Sequence, residues 1–235
     1  MEMTYSKQFQ IDTDSTLSGL LHLVQEVAGD HSTLLGSGWD DLLEKGFFWA
    51  VIRHRVKMER LPRCGETITV TTWPMPTTRS AYPRATEAWD TDGKLLFRAV
   101  SLWVLMDTNT RAMVLPKRSG VTVEGVAMGT ELAFPGSLGP VELQSPVHRT
   151  VCKEDLDVNG HVNNCRYLDW VEDLLTDRSG TPGEFTLCYL SEALEGQKVT
   201  LGQTEEGNLI RIEAVREDGG QSAGHSRVFA AELQF

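Results

Sequence analysis

The segments GETITVTTW (65–73) and GQKVTLGQT (196–204) resemble each other and lie in opposite halves of the 235-residue chain. Each follows a stretch with the apolar spacing of an amphipathic helix, at 17–28 in the first half and at about 159–177 in the second. Each is accompanied by segments rich in Val, Thr and aromatic residues, which are typical of strands. A helix followed by antiparallel strands, present twice, predicts an α+β fold with each helix packed on a curved sheet.

The predicted strands are bounded by Gly, Pro and polar turn signals. They cover 47–58, 66–73, 82–90 and 95–107 in the first half, and 183–190, 197–204, 208–216 and 225–235 in the second. We expect Asp14 or Ser15 to cap the first helix and Gly29 to end it. Residues 124–140 contain Gly and Pro without a sustained apolar period, which predicts a connector between domains at 1–123 and 141–235.

The composition excludes several classes of protein. A net charge of −11 argues against nucleic-acid binding, which needs Lys and Arg to neutralise phosphates. No apolar run approaches the ~20 residues of a membrane helix, and no signal peptide is visible at the start of the sequence. Four irregularly spaced cysteines favour free thiols over a disulfide framework. We therefore expect a soluble, cytoplasmic protein that binds neither nucleic acid nor membrane.

Basic residues are concentrated between 53 and 84. Arg53, Arg55 and Lys57 alternate along a predicted strand, which would place all three on one face. Such a face is either ordinary solvated surface or a docking site for an anionic partner.

The densest polar cluster is DLDVNGHVNN (155–164), at the predicted start of the second helix. Asp157, Asn159 and His161 alternate, so an extended segment would aim them to one side. They could supply an orienting carboxylate, a hydrogen-bond donor and an acid/base, beside helix N-terminal amides suited to an oxyanion. Capping and loop formation explain the same residues equally well. Glu192 follows a strand-like segment, where exposure at the strand end is the simpler interpretation.

Other chemistries have weaker support. His161 and Cys165 have i, i+4 spacing, but two residues do not make a metal site, and a helical Cys among apolar neighbours is usually a packing residue. The sequence contains no GxSxG, Walker or GxGxxG motif. We therefore expect neither a metal nor a cofactor.

Four separated blocks, in the right order, resemble the acyl-acyl-carrier-protein thioesterases of plants and bacteria. The first two are DVNGHVNN (157–164), followed by Tyr167, and FWAVIRHRVKMERLPRCGETITVTTWP (48–74). The others are RAVSLWVLMDTNTRAMVLP (98–116) and TLCYLSEAL (186–194). The resemblance implies a tandem (double) hotdog fold and hydrolysis of the thioester between a fatty acyl chain and the acyl carrier protein (ACP).

The resemblance also implies the site. Its catalytic residues would be Asp157, Asn159, His161 and Glu192, with water activated by the His/carboxylate network and the oxyanion stabilised by the Asn and by helix amides. A cysteine once regarded as the nucleophile in plant members aligns with Ala193. Because acyl carrier proteins are acidic, the strand with Arg53, Arg55 and Lys57 becomes a candidate docking face.

Three questions stay open at this level. The same fold and chemistry could serve acyl-coenzyme A, or a non-catalytic acyl-binding protein could retain the scaffold. A homodimer is compatible with the sequence. The acyl chain length depends on tunnel depth, which the sequence does not reveal.

Overall fold

A computed structural model describes most of the chain. The described residues are 3–126, 131–157, 159–176, 178–217 and 227–235. Outside these ranges lie Val158, the predicted helix end at Asp177 and the predicted strand start at His225. Residues 127–130 of the predicted connector and residues 218–220, between two predicted strands, also lie outside them. The chain divides into two compact units, Met1–Pro135 and Gly136–Phe235, and this division falls within the predicted connector.

The first unit is an antiparallel sheet with a long helix. Its elements are β1 (Tyr5–Gln10), α1 (Leu17–Leu34), α2 (Trp39–Leu43), β2 (Phe47–Met58), β3 (Thr67–Pro74), β4 (Tyr82–Asp90), β5 (Leu95–Asp107), β6 (Met113–Val114) and α3 (Pro116–Ser119). Its strands lie in the order β1-β3-β4-β5-β2, with β6 beside β5. Helix α1 packs against β1 and β3.

The second unit repeats this order of strands. Its elements are β7 (Gln144–Thr150), a 3-10 turn (Lys153–Asp155), α4 (Arg166–Leu174), β8 (Glu184–Tyr189), β9 (Lys198–Glu206), β10 (Leu209–Arg216) and β11 (Arg227–Gln234). All are antiparallel in the order β7-β9-β10-β11-β8. Strands β7 to β11 therefore correspond one by one to β1 to β5.

Matching main-chain hydrogen bonds align the two units residue by residue. The Gly65 N–H donates to the Ile11 carbonyl at 2.8 Å, and the Gly196 N–H donates to the Val151 carbonyl at 2.9 Å. Both glycines have a positive φ, +84° and +77° respectively, which L side chains rarely adopt. The two similar sequence segments thus begin at the same left-handed turn and lead into β3 and β9.

The structure confirms the predicted strands and adds three more, the edge strands β1 and β7 and the two-residue strand β6. Predicted strands 47–58, 82–90 and 95–107 match β2, β4 and β5 from end to end. Strands β3 and β8 differ from prediction by one residue at each end, β10 by one residue at its start, and β9 by up to two residues. Edge strands β1 and β7 were not predicted.

The predicted ends of the first helix are wrong. Thr16 caps α1, accepting a hydrogen bond from the Gly19 N–H at its side-chain oxygen, whereas Asp14 accepts from the Cys64 N–H at 2.8 Å. The helix also continues through Gly29, which is exposed and costs only about 1 kcal/mol relative to Ala within a helix. Its apolar face buries Leu20 and other residues against the sheet.

The predicted start of the second helix is also wrong, because α4 begins at Arg166 instead of about 159. Its first turns are anchored by aromatic packing. The Tyr167 ring lies 4.9 Å from that of Phe229 in β11 and 6.0 Å from that of Tyr189 in β8, and Trp170 contacts both Tyr167 and Phe229. No helix in the described part of the chain combines the length and apolar character needed to cross a membrane.

Candidate active site

The loop between β7 and α4 folds around the Asp157 carboxylate. One oxygen, Oδ1, accepts hydrogen bonds from the main-chain N–H groups of Asn159 at 2.8 Å and His161 at 3.1 Å. The other, Oδ2, is 3.3 Å from the Asn159 amide nitrogen. Gly160 has φ +79°, a left-handed conformation that favours glycine. The segment is therefore a tight turn, and the predicted extended alternation of these side chains is wrong.

Beyond this turn, the loop pairs with the segment that follows β8. His161 forms an antiparallel bridge with Leu194, and the Val162 N–H donates to the Ala193 carbonyl at 3.0 Å. This pairing brings His161 Nε2 within 3.2 Å of Glu192 Oε2. The His161 side chain is 21% exposed and that of Glu192 52% exposed, so the pair is partly shielded and still open to water. Glu192 thus contacts the imidazole rather than pointing only into solvent.

The two carboxylates have different tasks in this arrangement. Glu192 meets the imidazole ring itself, whereas Asp157 meets the main chain of His161 and the amide of Asn159. From the sequence, we expected Asp157 to orient the His161 ring. In the structure, Glu192 contacts the imidazole ring, and Asp157 accepts hydrogen bonds from the main chain of the loop.

The first N–H groups of α4 already have partners. The Cys165 N–H donates to the Asn163 side-chain oxygen, and the Arg166 N–H donates to the Asn163 carbonyl, both at 2.9 Å. The predicted set of free helix amides at 159 is therefore wrong. Its physical cause is local: the Asp157 carboxylate takes up the nearby N–H groups, and Gly160 turns the chain out of a helical path. The Asn159 side chain remains as a hydrogen-bond donor.

An ion pair between the buried Asp155 and the partly exposed Arg166 closes the base of this loop. The Asp155 carboxylate accepts from the Cys152 N–H at 2.9 Å and from Arg166 Nη2 at 3.1 Å, and the Asp155 carbonyl accepts from the Asn163 N–H at 2.8 Å. Burial alone would raise the pKa of Asp155, but the bonds from Cys152 and Arg166 outweigh it and lower that pKa. Asp155 and Arg166 were not among the site residues predicted from the sequence. The sequence contains one indication that Asp155 belongs to the site: it is a second aspartate in the polar cluster, two residues before Asp157.

Cysteine chemistry has little support at this site. Cys165 is buried at the cap of α4, and burial, with a contribution from the nearby Asp169, raises the pKa of its thiol to about 12. Such a thiol is protonated near neutral pH and is a poor nucleophile. Ala193, which aligns with a cysteine in plant members, has no thiol and is fully buried. The described residues hold no group of three or more His, Cys, Asp or Glu that could bind a metal ion.

The predicted docking residues lie on β2 in the first unit. Lys57 is exposed, whereas Arg53 and Arg55 are partly buried, and the three share a face as their alternation indicates. The wider basic group does not form one surface. Arg84 is buried and contacts His31, and Arg60 pairs with a carboxylate.

Solved structures identify the class of fold. An acyl-ACP thioesterase from Bacteroides thetaiotaomicron superposes with a TM-score of 0.88 at 23% identity, covering 99% of this chain and 98% of that one. The 12:0-ACP thioesterase from Umbellularia californica superposes with a TM-score of 0.81 at 24% identity, covering 100% and 97%. The chain therefore has an α+β fold of the hotdog type.

Sequence comparison identifies the family. The acyl-ACP thioesterase N-terminal domain matches residues 3–116, and the acyl-ACP thioesterase C-terminal domain matches residues 143–228. The chain belongs to the acyl-ACP thioesterase family.

Two curated relatives come from plants. A palmitoyl-acyl carrier protein thioesterase of Gossypium hirsutum is 30% identical over 182 residues, covering 70% of this chain and 44% of the relative. A dodecanoyl-[acyl-carrier-protein] hydrolase of Cinnamomum camphora is 26% identical over 234 residues, covering 89% and 61%. Both are described as chloroplastic. The chain thus matches only about half of the length of these relatives.

Proposed function

We propose that this protein is a thioesterase that hydrolyses fatty acyl-ACP and releases a free fatty acid. The observation that carries the proposal is the 3.2 Å contact between His161 Nε2 and Glu192 Oε2, beside Asn159 on its Asp157-bonded turn. Family membership supports the substrate class, because relatives that match this chain are described as acyl carrier protein thioesterases and hydrolases.

The His161–Glu192 pair would act as the acid/base. A water molecule bound by the pair gives it a proton and attacks the thioester carbonyl carbon, forming a tetrahedral intermediate. When the carbon–sulfur bond breaks, the pair returns the proton to the departing phosphopantetheine sulfur. The products are the fatty acid and the thiol of the carrier protein. This scheme needs no protein thiol.

Asn159 would stabilise the negative oxygen of the tetrahedral intermediate. A primary amide carries two N–H donors, and the contact with Asp157 Oδ2 uses one N–H of the Asn159 side chain. The second N–H would donate to the oxyanion. Asp157 acts through Asn159 and His161 by holding their turn, and donors fixed in advance are effective because little reorganisation is needed during the reaction.

The tandem hotdog architecture is part of the same proposal. Among the described residues, each unit has one helix of eight or more residues and an antiparallel sheet in corresponding strand order, which supports two hotdog units in one chain. All four proposed catalytic residues belong to the second unit. For docking of an acidic carrier protein, we propose the outer face of β2, with Arg53, Arg55 and the exposed Lys57.

Activity measurements test the function directly. One acyl group is presented on ACP and on coenzyme A, and the released fatty acid is quantified. We expect faster turnover of the ACP thioester, and a 10²–10⁴-fold lower kcat for His161→Ala and for Glu192→Gln. The surface pair His148–Glu217, also in the second unit and 2.7 Å apart, supplies a matched control in His148→Ala, which should retain activity.

Three results would redirect the proposal. Preference for the coenzyme A thioester would make the protein an acyl-CoA thioesterase. Tight acyl binding without turnover would make it a binding protein. Near-normal turnover in His161→Ala would remove the catalytic assignment, whatever the substrate.

A further inference from the structure

The loop that carries three of the proposed catalytic residues is closed by main-chain hydrogen bonds into a short hairpin. At its base, the Asn163 N–H donates to the Asp155 carbonyl at 2.8 Å, and nearer its tip the Asp157 N–H donates to the His161 carbonyl at 2.7 Å. We call the segment from Asp155 to Asn163 the active-site hairpin. Because Asn159 and His161 both belong to it, a change in the direction of the hairpin displaces both.

The Asp155 carboxylate ties the base of this hairpin to its surroundings. Its Oδ1 accepts hydrogen bonds from Arg166, the first residue of α4, with distances of 3.1 Å to Nη2 and 3.3 Å to Nε. Its Oδ2 accepts from the Cys152 N–H at 2.9 Å and from the Cys152 thiol at 3.0 Å. One carboxylate thus joins the segment after β7, the hairpin and the helix, and charge-assisted bonds of this kind are the stronger ones.

The Arg166 guanidinium is shared between two carboxylates. Besides Asp155, it binds Asp169 in the next turn of the same helix, with an Nη1–Oδ2 distance of 2.6 Å. The guanidinium can bind both because its donors lie in a fixed planar fork. One pair lies within the helix and the other connects the helix to the hairpin, so each can be removed by changing a single aspartate.

The first unit has no such cation at the start of its main helix. The first residue of α1 is Leu17, which is 2% exposed and belongs to the core. A positive charge in the first turn opposes the helix dipole, so helix formation alone does not explain Arg166. The arginine accompanies the hairpin, and an apolar residue takes its place in the unit that lacks the hairpin.

We propose that the Asp155–Arg166 ion pair is a tether that sets the direction of the active-site hairpin relative to α4. The tether would thereby place Asn159 and His161 for catalysis. Asp155 and Arg166 are positioning residues, and the proposal rests on the function proposed above. The tether acts at the base of the hairpin, whereas the pairing of His161 with Leu194 acts nearer its tip. Small displacements of a reacting group are costly, because rate depends steeply on its alignment with the substrate.

The activity test uses three variants and a matched control. Asp155→Asn loses the charge but retains an oxygen that can accept the Cys152 N–H, whereas Arg166→Gln removes the cation. We expect about 10–100-fold lower kcat in both, with KM for the ACP thioester changed less than about threefold. Arg166→Lys keeps the charge without the fork and should recover part of the loss. The control, Asp169→Asn, breaks the other pair of the same arginine and should leave kcat within about twofold of wild type.

A double-mutant cycle tests whether the two residues act as a pair. Asp155→Asn combined with Arg166→Gln should lower kcat no more than about twofold beyond the worse single variant. Losses that multiply would show two independent effects and would overturn the tether. So would a kcat close to wild type in both single variants. If Arg166→Gln does not fold, Asp155→Asn, Arg166→Lys and Asp169→Asn still decide the proposal.

Hydrogen exchange measured by NMR tests the tether without any substrate. The Asn163 N–H lies at the base of the hairpin, and the Ile212 N–H lies in the middle of β10. In Asp155→Asn we expect about 10-fold faster exchange at Asn163 and no change at Ile212, with neither changed in Asp169→Asn. Unchanged exchange at Asn163, or an equal rise at Ile212, would overturn the tether. Faster exchange confined to the hairpin, in a protein that hydrolyses no thioester, would reject only the function.

Discussion

The two units share an order of strands but differ in what they bury. In the first unit, His54, Ser101 and Arg84 are adjacent across β2, β5 and β4, all three are buried, and His54 Nδ1 lies 2.8 Å from the Ser101 hydroxyl. The corresponding positions of the second unit are all buried and apolar: Phe185, Leu233 and Ile210. One strand order therefore accommodates either polar or apolar side chains at these positions. The polar ones have hydrogen-bonding partners, Ser101 for His54 and His31 for Arg84.

The loops before the two main helices differ in length, and here the second unit has the larger polar segment. Five positions separate Ile11 from the cap residue Thr16, whereas fourteen separate the corresponding Val151 from Cys165. The added residues of the second unit contain the turn of Asp157 and lead to His161. The repeated sheet is thus a scaffold, and three of the four candidate catalytic residues lie in a long loop that only the second unit has.

The largest expected effect is on kcat, and it distinguishes two loop carboxylates, Asp157 in the second unit and Asp14 in the first. Asp157→Ala should lower kcat by about 10²-fold, because displacing the turn misplaces both Asn159 and His161. Asp14 makes a similar bond, accepting from the Cys64 N–H at 2.8 Å in the short loop of the first unit. Asp14→Ala should lower the free energy of unfolding by about 1 kcal/mol and leave kcat unchanged.

Steady-state kinetics and denaturant unfolding of the same preparations decide this comparison. Asp157→Asn serves as a second variant, because its side-chain oxygen can still accept the loop N–H groups and should retain more activity than Ala. Equal losses of kcat in Asp157→Ala and Asp14→Ala would contradict the assignment of the chemistry to the second unit.

The buried His54 should make the stability of the first unit sensitive to acid. Burial lowers the pKa of His54 from 6.5 to about 3. Above pH 6.5 the imidazole is neutral in both the folded and the unfolded state, so it contributes no pH dependence. As the pH falls from 6.5 towards 3, only the unfolded state binds the proton, and stability is lost by up to about 1.4 kcal/mol per pH unit.

His54→Gln isolates this contribution, since Gln can still hydrogen-bond Ser101 but does not titrate. Between pH 7 and pH 5, wild type should lose about 2 kcal/mol more of its free energy of unfolding than the variant. Urea denaturation at both pH values measures the difference. Parallel pH dependences in the two proteins would show that His54 becomes protonated within the folded protein.

The sequence predicts the interior strands well because their pattern reflects burial. Strands β4 and β5 lie between neighbours within the first unit, and β2 pairs with β5 along its length. All three strands carry Val, aromatic and other apolar residues. Edge strands β1 and β7 have one neighbour in their own sheet, and their residues are partly or largely exposed, so little hydrophobic pattern marks them. Local rules also placed the end of α1 at Gly29, where packing of the following turn, including the buried His31, overrides propensity.

The site was predictable in residue type but not in geometry. The cluster around His161 is conspicuous in the sequence, yet its contact with Glu192 depends on the pairing of His161 with Leu194, a long-range contact. Asp155 shows the same limit, since nothing in its neighbours indicates that it is buried against Arg166. Resemblance to a known family supplied Glu192, for which local sequence favoured simple exposure.

The left-handed turn that the two units share allows a test of their correspondence. A Cβ at Gly65 or at Gly196 would meet no atom within 4 Å, so Ala at either position is disfavoured by its backbone conformation alone. We expect Gly65→Ala and Gly196→Ala each to lower the free energy of unfolding by about 1–2 kcal/mol. Gly29→Ala, at an exposed helical position, should raise it by up to about 1 kcal/mol.

Thermal or urea unfolding measures all three. The losses in the free energy of unfolding caused by Gly65→Ala and Gly196→Ala should agree. A difference of more than about 1 kcal/mol would mean that the two turns are not energetically equivalent, despite their matching φ angles and hydrogen bonds.

The smallest expected effect concerns docking on the first unit. Lys57 is exposed on β2 opposite Arg98, whose own charge is paired with Glu87 at 2.9 Å, so Lys57→Glu changes the local potential without breaking that pair. A single exposed charge at an interface contributes up to about 1 kcal/mol, and we expect a 2–5-fold higher KM for an ACP-linked acyl group. The matched control is Lys94→Glu, exposed in the β4–β5 turn of the same unit. KM for a small thioester without a carrier protein should not change in either variant. A similar rise in KM for both variants on ACP would indicate general electrostatic steering of an acidic partner instead of a docking face on β2, because both substitutions change the net charge equally.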